Sequence, residues 1–210
     1  MRIMKKLLPI VLLLLSLMLL WAGCEKGITA NHISTFVDVR DGEVYHQVTI
    51  GSQTWMADNL RYNSPGSWVN PNNPSSTYGR LYDWVTAQTA CPNGWHLPSD
   101  AEWTTLEISL GLNSSDAAST GFRGTHEASI KSTTGWGSGN GTNISGFNAL
   151  PAGEYYLGSF IGLNDYTAFW SSTEYSATRA WYRALRNGYM GMDRDNFNKS
   201  PGSSCRCIKD

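Results

Sequence analysis

The first apolar block, Leu7 to Trp21, is broken only by Pro9 and Ser16 and follows a cationic start of Arg2, Lys5 and Lys6. As a helix it would span about 22 Å at 1.5 Å per residue, short of a ~30 Å hydrocarbon core, so the pattern predicts a secretory signal rather than a membrane anchor. Beyond it the apolar positions come in short runs. Val44 to Ile50 sets Val44, His46, Val48 and Ile50 against Tyr45, Gln47 and Thr49, the alternation of a strand. Gly51-Ser52 turns it back into Gln53 to Met56, which predicts a hairpin. From Gly79 to Thr89, Leu81, Tyr82, Trp84, Val85 and Gln88 include the i, i+3 and i+4 spacings of a helical stripe that Cys91-Pro92 ends.

A second helix is marked more firmly. Ser99-Asp100-Ala101-Glu102 after Pro98 is a capping box, Trp103, Leu106 and Leu110 share one face, and Gly111 supplies a left-handed stop. Asn113 to Asn143 reads as loop, with Gly-Trp-Gly at 135–137 as its one large anchor. Short apolar runs then recur at Phe147 to Leu150, Tyr155 to Ile161, Ala168 to Ser171, Ala180 to Leu185 and Ser203 to Ile208, bounded by Gly, Asn or Pro, and predict antiparallel strands. Early helices followed by strand-rich sequence argue an α+β fold.

Composition narrows the partners. With 16 Lys+Arg against 17 Asp+Glu, only 16% charged residues and 21 Gly among 210 residues, the chain is rich in turn formers and has no excess of positive charge for a phosphate backbone; no nucleic-acid partner is predicted. Ala22-Gly23-Cys24 follows the apolar block and resembles a bacterial lipobox, in which signal peptidase II cuts before a cysteine that carries diacylglycerol. Trp21 departs from the usual aliphatic residue three places before that cysteine. The alternative is an ordinary signal cleaved near Gly23, with Cys24 left as an unpaired thiol. The lipobox reading makes Cys24 the lipidation site, residues 1–23 the signal peptide, 24–35 a tether and 36–210 the domain. Loss of Arg2, Lys5 and Lys6 leaves 13 basic against 17 acidic residues, a net charge of −4. With no polybasic patch, the membrane partner must be held by acyl chains. The expected address is the cell outer membrane, lipid-anchored, periplasmic or surface-exposed.

The segments QTWMADNL (53–60), YGRLYDW (78–84), CPNGWHLPSDAEW (91–103), GFNALPAG (146–153), FWSST (169–173) and CRCIKD (205–210) together resemble the Fibrobacter succinogenes major paralogous domain family, over about Asp38 to Asp210. The resemblance implies an extracytoplasmic domain, often on a lipoprotein, related in fold to C-type-lectin-like domains and formylglycine-generating enzymes, with no established activity to carry over. It also implies a disulfide between Cys91, at the end of the first helix, and Cys207 in the last strand. Cys205 could reach Cys91 on sequence grounds as well, but the resemblance places the pairing cysteine in the Arg-Cys dipeptide, which leaves Cys205 as a buried thiol.

Candidate chemistry is sparse. A copper oxidase of the formylglycine-generating type would need Cys205 and Cys207 as soft thiolates, but the relatives' active-site cysteines lie elsewhere and the disulfide would consume Cys207. His32, His46, His96 and His126 are scattered without ligand spacing, so no metal or cofactor is assigned; His96 reads as a packed or hydrogen-bonded histidine. Asp193-Arg194-Asp195-Asn196 could offer oxygens to Ca²⁺ but reads better as a solvated turn. Trp55, Trp84, Trp95, Trp103 and Trp170 are assigned to packing. Trp68, Tyr155, Tyr156 and Tyr166 are the candidate binding residues, their flat faces suited to a glycan or protein ligand. The expectation is a non-catalytic binding or structural module.

Overall fold

The computed structural model describes residues 33–73 and 75–210. The signal sequence, Cys24, His32 and most of the predicted tether lie outside the described residues. Ile33–Val37 (β1), whose first three residues were assigned to the tether, pairs antiparallel with Val44–Ile50 (β2), which turns into Gln53–Met56 (β3) as the hairpin pattern predicts. The two faces of β2 serve different cores. Val48 and Ile50 enter one cluster with Trp55, Trp103, Leu106, Phe147 and Phe169, while Tyr45, on the opposite face, joins a second with Met56, Tyr82, Trp84, Trp95 and Cys207. Val44 and His46 are therefore exposed, although they alternate in phase with Val48.

The remaining strands are Ser67–Trp68 (β4), Leu81–Tyr82 (β5), Trp95–His96 (β6), Gly121–Arg123 (β7), Glu154–Tyr156 (β8), Ser159–Ile161 (β9), Tyr166–Ser176 (β10), Arg179–Arg186 (β11), Met192–Asn198 (β12), Ser203–Ser204 (β13) and Ile208–Lys209 (β14). The helices are Ser75–Tyr78 (α1), Trp84–Ala90 (α2), Asp100–Ser109 (α3) and Glu127–Ile130 (α4). They build a five-stranded sheet β1-β2-β3-β14-β6, a seven-stranded sheet β4-β5-β13-β10-β11-β12-β7 and the small hairpin β8-β9. The protein is α+β and mainly β.

Several elements differ from expectation for local reasons. The helix expected over 79–89 starts only after Asp83, whose carboxylate accepts from the Thr86 amide at 2.7 Å and caps α2. Gly79 has φ +77° and a Cβ there would meet the Leu60 carbonyl at 2.8 Å, so the chain turns, and Leu81–Tyr82 becomes a strand between β4 and β13. Phe147 to Leu150 is no strand: its ladder is the single bridge from Ala149 to Lys131, while Phe147 fills the first core. Ser203 to Ile208 is split into β13 and β14, with Cys205 to Cys207 between them. Asp193 to Asn196 is neither turn nor calcium loop but the middle of β12, paired with β11 and partly with β7. Within the loop-rich stretch after α3, β7 and α4 are short regular pieces that no periodicity marked, and Trp136 anchors it as expected, buried with its indole N–H on the Ala149 carbonyl at 3.1 Å.

The capping box holds: Ser99 Oγ accepts from the Glu102 amide and the Ser99 amide donates to Glu102 Oε2 at 2.7 Å. The five tryptophans assigned to packing are all buried, none more than 8% exposed. A tryptophan hides roughly 150–250 Å² of surface, about 4–6 kcal/mol of gross transfer free energy each, so Trp55, Trp103 and Trp170 dominate the two cores. Cys91 and Cys207 form the disulfide, with Cα atoms 5.9 Å apart, and Cys205 is a buried free thiol. Arg206 points away from both cysteines, fully buried, and its guanidinium donates to Asn59 Oδ1 and to the carbonyls of Met56, Phe147 and Asn148.

Candidate functional site

The three long strands β10, β11 and β12 present alternate residues to opposite sides of the seven-stranded sheet. On the back, Phe169, Arg183, Arg194 and Gly121 share a rung. Two neighbouring arginines would repel each other there unless they shared an anion. Asp100, the first residue of α3, supplies it, with Oδ1 2.7 Å from Arg183 Nη1 and Oδ2 2.7 Å from Arg194 Nη2. Burial opposes its ionisation most, yet the hydrogen bonds and charge of the two guanidinium groups hold the Asp100 carboxyl below its usual range. Deeper in, Glu107, with none of its surface exposed, accepts from Arg183 Nε at 2.6 Å and from Arg123 Nη2. His126 lies 3.8 Å from Glu107, its pKa depressed by burial. This cluster fastens α3 to the sheet.

On the front, one rung runs Phe122, Asp193, Ala184, Ala168 and the next Asp195, Tyr182, Trp170, with Tyr166 opposite Arg186. Ala168 and Ala184 have no bulk, so the sheet is hollow between its aromatic neighbours. The result is a cavity of about 520 Å³, within the range of small-molecule sites. Its walls carry Phe122, Tyr166, Trp170, Tyr182 and Phe197, and the β8-β9 hairpin closes one side with Glu154 and Ile161. The hairpin is held to the sheet by the Tyr155 and Gly202 amides and carbonyls, which exchange hydrogen bonds at 2.9 and 2.7 Å. Only glycine fits at 202, since a Cβ would sit 2.8 Å from the Trp68 ring.

The charged groups of the cavity are mostly acids, Glu154, Asp165 and Asp193. Tyr182 donates to Asp193 Oδ2 at 3.4 Å. Burial, and then the nearby Asp195, raise the Asp193 pKa; burial alone raises that of Glu154. Burial also keeps Tyr166 and Tyr182 well inside their neutral, donating form. Among the described residues the one lining cation, Arg186, pairs with Asp165 at 3.5 Å. At the rim Phe122 stacks on Tyr189, ring centroids 4.4 Å apart, beside exposed Met190.

The residues singled out from sequence converge on this side. All four are half-buried. Tyr166 lines the cavity, Tyr156 lies against Phe197 of its wall at 5.8 Å, and Trp68 stacks on Tyr155 at 4.5 Å behind the hairpin. His96 is hydrogen-bonded, Nδ1 to Asp210 at 2.7 Å and Nε2 to Glu102 at 2.9 Å. Desolvation pulls its pKa down, but the two carboxylates outweigh it and the pKa is raised. Sequence reasoning weighed Asp193 and Arg194 only as a turn or calcium loop and missed Glu154, Glu107, Arg123 and Arg183. Signals existed for two of them: Glu107 falls on the Trp103–Leu106 stripe, and Arg183 interrupts an apolar run.

Over residues 48–209 the chain matches the family described as the Fibrobacter succinogenes major domain. It belongs to that family. The cavity-bearing strands β10 to β12, both disulfide cysteines and the buried Arg206 all lie within this Fibrobacter succinogenes major domain, as does all of the Asp100–Glu107 cluster. No curated protein and no solved structure matches the chain. Among the described residues no helix is long and apolar enough to cross a membrane, and no group of three or more His, Cys, Asp or Glu is placed to hold a metal ion.

Proposed function

We propose that the protein is a lipid-anchored cell-envelope binding module of C-type-lectin-like fold, which takes its ligand into the cavity on the front of the seven-stranded sheet and performs no chemistry on it. The observation that carries the reading is the cavity itself: about 520 Å³, walled by aromatic rings, on a sheet locked from behind by ion pairs. Stacking faces with a few directed polar groups suit a glycan or a peptide side chain. The lectin-like reading is supported by the pairing of β3 with β14, which brings the first and last parts of the domain together, and by the Cys91–Cys207 bond. The anchor rests on the Ala22-Gly23-Cys24 sequence. The copper-oxidase alternative has little support, because Cys207 is oxidised to Cys91 and burial pushes the Cys205 thiol far up.

A glycan and peptide array probed with the purified protein tests the reading, alongside Ala168→Trp, which fills the hollow. Array binding that Ala168→Trp abolishes is expected; binding that survives it places the ligand elsewhere.

A further inference from the structure

Nearly every carboxylate among the described residues has structural work. Asp38 holds Arg40, Asp83 and Glu102 cap helices, Asp100 and Glu107 dock α3, and Glu127 accepts from the Gly191 amide. Glu154 is different. It lines the cavity half-buried, and among the described residues its carboxylate has no hydrogen-bond donor and no ion-pair partner. Across the cavity Asp193 receives only the long Tyr182 hydroxyl bond, and the sole lining cation is already paired with Asp165. The charges of Arg123 and Arg183 offset part of the cost at Asp193, but Glu154 has no counter-ion among the described residues, and placing it against aromatic walls costs solvation free energy and returns nothing to the fold. Aromatic faces carry negative quadrupoles that attract cations and do nothing for anions.

Resting on the reading of this cavity as the binding site, we infer that its ligand carries a positive charge: an alkylammonium group, seated among Tyr166, Trp170, Tyr182 and Phe197 and facing Glu154 and Asp193. The shared chemistry is the ammonium, whether primary, as on an amino sugar, or quaternary.

Calorimetric titration with two matched pairs tests this. Choline is set against its neutral isostere 3,3-dimethylbutan-1-ol, and glucosamine against glucose. At least one cation is expected to bind about tenfold or more tighter than its neutral mate, as a cation–π contact backed by a carboxylate allows. Glu154→Gln should erase most of that ratio, and Ala168→Trp should remove binding of both. Which pair responds separates the primary from the quaternary source. Equal binding of cation and neutral mate, lost in Ala168→Trp, overturns the charge inference and keeps the cavity. No binding by any of the four, or binding undiminished in Ala168→Trp, overturns both. A ratio unchanged in Glu154→Gln also overturns the inference.

Discussion

Replacing Glu107 by Gln tests how the sheet is held from behind. The side chain keeps its volume and one acceptor oxygen, but the negative charge between Arg183 and Arg123 is gone, and the new amide N–H₂ faces a guanidinium. Each pair at ~4 Å and an effective dielectric constant of about 20 is worth about 4 kcal/mol of attraction, of which desolvation cancels much. What remains after truncation is a buried cation without its partner, which costs about 3–5 kcal/mol. Glu107, Arg183 and Arg123 are all nearly inaccessible, their side chains 0%, 0% and 3% exposed, so solvent cannot take over. For a chain of this size the melting temperature should fall by roughly 10 °C. Urea denaturation at neutral pH, with the midpoint read at unchanged slope, is the measurement. Glu174→Gln is the control: its partner Lys199 lies 2.5 Å away, but Glu174 is more than half exposed, and exposed pairs are worth about 0–1 kcal/mol. If Glu107→Gln costs no more than Glu174→Gln, the buried cluster does not hold α3 and the argument fails.

Three further outcomes follow from named groups. Cys91→Ser with Cys207→Ser should cost up to about 5 kcal/mol by the chain-entropy estimate for a loop of this length, and native alkylation followed by mass spectrometry should leave Cys205 unmodified until denaturant is added; rapid native labelling would contradict its burial. His96, whose pKa is raised by Asp210 and Glu102, contributes stability that is complete below its unfolded value of about 6.5 and is lost as pH rises through the folded value. The difference in urea midpoint between the protein and His96→Gln should therefore shrink from mildly acidic to alkaline pH, and a difference that grows refutes the clip. Cys24→Ala should leave the membrane fraction and lose radiolabelled fatty acid, whereas retention of both would refute the anchor.

The parts of the fold written in local chemistry were legible. The β2-β3 hairpin, the Ser99 capping box and the buried tryptophans each follow from a few adjacent residues, and the family resemblance supplied the disulfide. What the sequence hid depends on partners far along the chain. Asp193 to Asn196 has the composition of a turn, and only pairing with β11 makes it a strand. Asp193 then lines the cavity, with Asp195 on the same face of the sheet, while Arg194 turns back toward an acid 94 residues away. Leu81 and Tyr82 carry helical spacing with the residues after them, but Asp83 serves better as a cap than inside a helix. The aromatic residues named as binding candidates lie on the same side of the protein as the cavity, yet three of the four support it from behind or beside it instead of lining it.

The same alternation explains why the site escaped a reading by motif. In β10 and β11 the residues that line the cavity are flanked by ones turned the other way: Ala168 by Phe169, and Tyr182 by Arg183. Along the chain these runs look like ordinary buried strands, because the charged member, Arg183, is as fully buried as its apolar neighbours. The cavity arises from what the front positions lack. Two alanines meet across the β10-β11 ladder where a Leu or Phe pair would fill the sheet surface, and a missing side chain leaves no motif. The space persists because the back face supplies the cohesion: Arg183, neighbour to both Tyr182 and Ala184, is bonded at its Nε, Nη1 and Nη2 to α3. A sheet pinned on one side by charge can leave its other side hollow without collapsing into it, and that division of labour between odd and even residues leaves the cavity preformed.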